Sequence, residues 1–69
     1  MPLTIAEPGA ELFIKKIGGK EEIRRFLETL GFVPGGKVTV ISRNQGNVIV
    51  GVKESRVAIG SEMANKIIV

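Results

Sequence analysis

The chain has no cysteine, no histidine, no tyrosine and no tryptophan among its 69 residues. Without cysteine there is no disulfide to staple a small fold, and without cysteine and histidine there is no soft-ligand metal site. The same two absences remove the most nucleophilic side chain and the commonest general base, leaving only carboxylates, lysines and serines for any catalytic role. Three phenylalanines, Phe13, Phe26 and Phe32, are the whole aromatic content. That is a poor stacking platform for single-stranded nucleic acid. No apolar run approaches the roughly 18 residues that a membrane-spanning helix needs, so no insertion into a membrane is expected. The first residues, MPLTIAEPGAEL, lack the basic and apolar regions of a secretion signal, which points to a soluble intracellular protein.

What is present is a 43% hydrophobic content and a net charge of +3. A chain this short buries only about 60% of its unfolded surface, so the apolar residues must be used efficiently. A closed or nearly closed small barrel does this. The ten basic residues are interleaved with seven acidic ones rather than gathered in one block. They read as a mixed solvated surface, and no nucleic-acid partner is expected from it. A small RNA-binding barrel is the reading the charge alone would offer; it calls for roughly 6–10 phosphate contacts on one face.

Residues 1–9 read as a lead-in ending at the turn Glu7-Pro8-Gly9. In AELFIKKI, Leu12 and Ile14 share one side, Phe13 and Lys15 the other, and Ile17 breaks the alternation at a bulge or bend. KEEIRRFLETL, residues 20–30, is the one clear helix: Ile23, Phe26, Leu27 and Leu30 form a single apolar stripe. Glu21 and Glu22 suit its first turn, and Glu21 pairs with Arg25 one turn on. Gly31 stops the helix in the left-handed conformation, and Pro34-Gly35 fits a type II turn. These three glycine and proline positions form a structural corner from which a strand can leave at a sharp angle.

Two alternating strands follow, with Val38 and Val40, then Val48, Val50 and Val52, on the inward face. Asn44-Gln45-Gly46-Asn47 joins them as a hairpin. Gly51, in mid-strand, predicts a bend or a close backbone approach such as a barrel corner. A further strand carries Val57 and Ile59 inward. Ser61 is expected to cap a short helical turn, and Lys66–Val69 to close as a brief strand. No carboxylate pair, serine–base pair or complete phosphate-binding loop appears, so neither enzymatic activity nor a cofactor or metal ion is expected. What remains is binding.

RRFLETLGFVPGGKVTVISR resembles the signature of the FeoA family, small cytosolic proteins associated with bacterial ferrous-iron transport. The pattern is a helix ending Leu30-Gly31-Phe32, then Pro34-Gly35, then the alternating Val38-Thr39-Val40. The later GNVIVGVKESRVAIGSEMANKIIV and the opening LTIAEPGAE fit in order, so the resemblance covers nearly the whole chain. The hairpin departs from the family's longer Pro-Leu-Gly-Asp-Pro loop, and contacts made through that loop do not carry over.

The resemblance implies one domain, residues 1–69, with a mainly β fold. The fold would be an SH3-like barrel of about five antiparallel strands with the helix inserted after the first. It also implies a cytoplasmic, non-enzymatic accessory that binds the cytosolic part of FeoB, a membrane permease with an intracellular GTPase domain. A related alternative is a stand-alone counterpart of the SH3-like C-terminal domain of iron-dependent repressors. Candidate partner-binding residues are Phe13 and Phe32, either covered by the inserted helix or exposed as aromatic anchors. Arg24 and Arg25 join them, either as solvated charges or as groups that steer an acidic partner. Oligomeric state is left open.

Overall fold

A computed structural model describes residues 1–69. After a 3-10 turn at Leu3–Ile5 come strands β1 (Glu11–Phe13) and β2 (Lys16–Ile17), helix α1 (Glu21–Leu30) and strands β3 (Lys37–Asn44), β4 (Asn47–Val52) and β5 (Ser55–Gly60). The short helix α2 (Ser61–Ala64) and strand β6 (Ile67–Ile68) complete the chain. β1, β3, β4 and β5 form an antiparallel sheet in that order, and β2 pairs with β6. The two sheets enclose one core, in which Val38, Val40, Val48, Val50, Val52 and Ile59 meet Leu27, Phe32 and Ile67. The architecture is mainly β, a small antiparallel barrel with one helix inserted, as the sequence pattern implies.

The alternation in residues 11–17 is real, but it belongs to two sheets rather than one strand. The Gly35 amide donates to the Ile14 carbonyl at 2.7 Å and the Ile14 amide donates to the Gly36 carbonyl at 2.8 Å. The next amide, Lys15, donates instead to the Ile68 carbonyl at 2.7 Å. The chain therefore changes partners between two adjacent residues. That sharp change closes the barrel and lets both Ile14 and Ile17 point inward.

α1 begins after Lys20, which offers no side-chain cap, and its first turn carries Glu21 and Glu22. It ends at Gly31, whose φ is 106°. The Gly31 amide donates to the Glu28 carbonyl and the Phe32 amide to the Leu27 carbonyl, each at 2.9 Å. This is the Schellman closure, which satisfies the last carbonyls of the helix. A Cβ on Gly31 would lie 3.3 Å from Val52 Cγ2 and 3.6 Å from Lys53 Cδ, so the helix end is packed tightly on the β4–β5 turn. The Gly36 amide donates to the Val33 carbonyl with Gly35 at φ 84°, the geometry of a type II turn. The helix buries Leu27 and half-buries Ile23 and Leu30. Phe26 does not join them; it is 48% exposed. A narrow barrel accepts only one line of the stripe.

Two further expectations are corrected. Gly51 marks no bend: it pairs in register with Thr39 on one side and Arg56 on the other. The irregularity lies across from it, in β3, where the register shifts between Val40 and Ser42 and leaves Ile41 as the extra residue. The bulge re-aims the strand so that Arg43 donates from Nη1 to the Thr4 carbonyl at 2.7 Å. Ser61 is not the cap of α2; Gly60 holds that position in an extended conformation, and the Ser61 amide donates to the Gly46 carbonyl. The lead-in is tied into the fold. Leu3 and Ala6 are buried, and Pro2 bridges Ile68.

Candidate docking surface

Phe13 ends β1 with its ring on the outer side of the sheet, 66% exposed. The reason is local: Leu12 and Ile14 take the inward side, so the residue between them cannot. Its cross-strand partner is Lys37, whose ammonium lies 2.9 Å from Glu11 Oε2. The pairing then continues across the sheet, so that Glu11, Thr39, Gly51 and Arg56 form one row over four strands. Gly51 contributes no side chain. A shallow depression of about 240 Å³ opens there, lined by Lys37, Thr39, Gly51 and Lys53. A second, of about 380 Å³, lies between the two helices, lined by Ile23, Glu62, Met63, Asn65 and Lys66.

The other residues singled out from the sequence do not join this patch. Phe32 is fully buried, which removes it as an anchor for a partner. The same Schellman closure that ends α1 turns its ring back into the core. Arg24 and Arg25 are exposed on α1. Arg25 donates to Glu21 at 2.8 Å, both side chains being mostly in solvent, a geometry with small energetic weight. No hydrogen bond or ion pair links either arginine to the neighbourhood of Phe13. Gly31, Pro34 and Gly35 lie at the corner after α1, and of the three Gly31 packs against the turn that carries Lys53.

Lys37, Lys53 and Arg56 were not candidates in the sequence, because they converge only through strand register. The signal that could have found them is Gly51, a glycine in mid-strand with charged residues on either side of its row. No group of three or more His, Cys, Asp or Glu side chains stands together to hold a metal ion. No helix is long and apolar enough to cross a membrane. The chemistry on offer at this face is therefore ammonium, guanidinium, hydroxyl and an exposed aromatic ring.

Comparison with known proteins agrees with the fold. The chain is 38% identical over 68 residues to Fe(2+) transport protein A of Methanocaldococcus jannaschii, spanning 99% of this chain and 83% of that protein. A crystal structure of FeoA, described as an iron uptake regulatory protein, superposes with a TM-score of 0.90 at 28% identity, covering 97% of this chain and 91% of that one. A manganese-dependent transcriptional repressor superposes with a TM-score of 0.89 at 20% identity, over 97% of this chain but only 39% of the repressor. At that identity the likeness is one of fold, the SH3-like barrel that these proteins share. The FeoA domain model matches residues 1–69, and with a relative this similar over nearly all of this chain, the chain belongs to the FeoA domain family.

Proposed function

We propose that this protein is a cytosolic, non-enzymatic accessory of ferrous-iron transport that docks on the cytosolic part of an FeoB-type permease. The observation that carries the reading is the 38% identity, across 99% of the chain, to a protein named for Fe(2+) transport. The geometry is in keeping with it: an exposed phenylalanine on an open sheet face, bordered by cations, is the usual make-up of a docking surface. Residues 1–69 act as one domain in this reading, and metal handling belongs to the permease. A pull-down of the purified permease's cytosolic part by this protein tests it. Retention on the wild-type protein and weaker retention on Phe13→Ala is the expected result; no retention at all refutes the docking.

The fold match to the manganese-dependent repressor favours a second reading, a regulator acting together with a DNA-binding chain. A gel shift with the repressor's operator, with and without divalent metal, separates the two. An effect of this protein on the shift would support the second.

A further inference from the structure

Two residues at this depression, one in mid-strand and one in the β4–β5 turn, are locally unfavourable choices, and the fold requires neither. Gly51 lies in mid-strand, where glycine costs backbone entropy and supplies no side chain to pack. Its φ is not positive, since the positive-φ glycines are Gly9, Gly19, Gly31, Gly35 and Gly46. A Cβ added to it would meet Ile41 Cδ1 at 3.5 Å and the Thr39 carbonyl at 3.9 Å, both ordinary contacts. Lys53, two residues on, is the one non-glycine residue with positive φ, at 56°. Glycine or asparagine is cheaper in such a turn position. Both residues line the same depression. Departures from local preference that coincide in space are the mark of a functional surface.

The charge there is one-sided. Lys37 and Lys53 line the depression and Arg56 stands across from Gly51. The carboxylate at its rim is Glu11, already held by Lys37, while Glu54 follows Lys53 in the turn and is not part of the lining. Thr39 adds a hydroxyl to the floor, and Phe13 stands beside Lys37. No hydrophobic residue lines the depression, so a purely apolar ligand would leave its polar groups unpaired. A folded, neutral surface would leave Lys53 and Arg56 without counter-charge.

We propose that this depression seats an acidic, extended segment of a partner polypeptide. The bare Gly51 lets the partner's backbone come close to the sheet. Lys37, Lys53 and Arg56 take its carboxylates, and Phe13 takes an apolar side chain beside them. Glu11 occupies Lys37 in the free protein, so binding exchanges an internal ion pair for one with the partner. The proposal deepens the docking reading by naming the face and the partner's chemistry, and rests on that reading only where the partner is the permease.

The test is a titration of isotope-labelled protein with the capped peptide Glu-Glu-Leu-Glu-Glu, followed by amide chemical shifts. Saturable shifts confined to Phe13, Thr39, Gly51, Lys53 and Arg56, lost at about 0.5 M salt, are expected. Gly51→Val, which fills the floor, and Lys53→Gln, which removes a charge, should each weaken the peptide about tenfold or more while the spectrum stays that of a folded protein. Shifts spread equally over Arg24, Lys66 and the other basic residues would overturn the proposal. So would equal binding by both variants, the same shifts from inorganic phosphate alone, or the same shifts from raising protein concentration without peptide, which would mean a second copy sits there. The permease pull-down separates this inference from the docking reading. If Gly51→Val retains the permease as well as the parent, the docking stands and this face falls. If the peptide binds and the permease does not, the face stands and the docking falls.

Discussion

The Phe32 amide donates to the Leu27 carbonyl at 2.9 Å, and both side chains are fully buried. One hydrogen bond thus ends the helix, and the same turn of chain sends an aromatic ring into the barrel. The joint depends on Gly31, which alone of the three residues must be left-handed.

Gly31→Ala should therefore destabilise the protein by about 1–2 kcal/mol, since a left-handed alanine is strained and its Cβ would crowd Val52 Cγ2 at 3.3 Å. In a domain of this size each kcal/mol corresponds to roughly 4–8 °C in melting temperature. Thermal unfolding followed by circular dichroism measures it. An unchanged melting temperature would mean that the helix end relaxes freely.

The two phenylalanines Phe13 and Phe32 should part company under substitution. Phe32→Ala removes a wholly buried ring and is expected to cost about 3–5 kcal/mol. A domain of this length has only about 3–10 kcal/mol to lose, so the variant should be largely unfolded or close to it. Phe13→Ala removes an exposed ring and should move stability by no more than about 0.5 kcal/mol. Urea titration separates the pair, and Phe13→Ala remains usable in the pull-down.

Leu3→Ala is expected to cost about 2–4 kcal/mol, although it lies in a segment with little regular structure. The side chain is fully buried in the core, next to Pro2, which bridges Ile68. A loss below about 0.5 kcal/mol by urea titration would show that the first residues are peripheral to the core.

The exposed pair Glu21–Arg25 should matter little. Glu21→Gln keeps the side-chain shape, removes the charge, and should cost about 0.5 kcal/mol or less, with the difference fading at high salt. Melting temperatures compared at low and high ionic strength check both the size and the screening.

These outcomes also mark where sequence is a sufficient guide. α1, the corner at Gly31 and the β3–β4–β5 meander were legible because each rests on local chemistry: an apolar stripe, a glycine stop, valines at every second position. The partner change between Ile14 and Lys15 was not, because alternation reports which face a residue takes and not which strand it joins. The bulge at Ile41 was hidden for a similar reason, since a β-branched run reads as one continuous strand. Leu3 and Ala6 sit too close together, with no period, to announce burial. Phe26 followed the stripe and still came out exposed, because the width of the face that a helix buries is set by its neighbour. On the candidate surface, the outward side of Phe13 was readable from its neighbours, but whether the helix covers it was not, because that depends on where α1 packs. The convergence of Lys37, Lys53 and Arg56 exists only once cross-strand register is known.

Gly51 gives the sharpest test of whether stability or surface chose a residue. If the glycine serves only the fold, replacing it should do harm. The structure says otherwise: Gly51→Ala introduces a Cβ at ordinary contact distance and reduces the freedom of the unfolded chain. The strand should gain about 0.5–1 kcal/mol, and the midpoint of urea unfolding should rise with an unchanged slope. A midpoint that falls would show a strain at Gly51 that the register does not reveal, and would return the glycine to a structural role. A midpoint that rises leaves the bare floor between Thr39 and Arg56 unexplained by folding, and points outward to whatever backbone comes to rest on it.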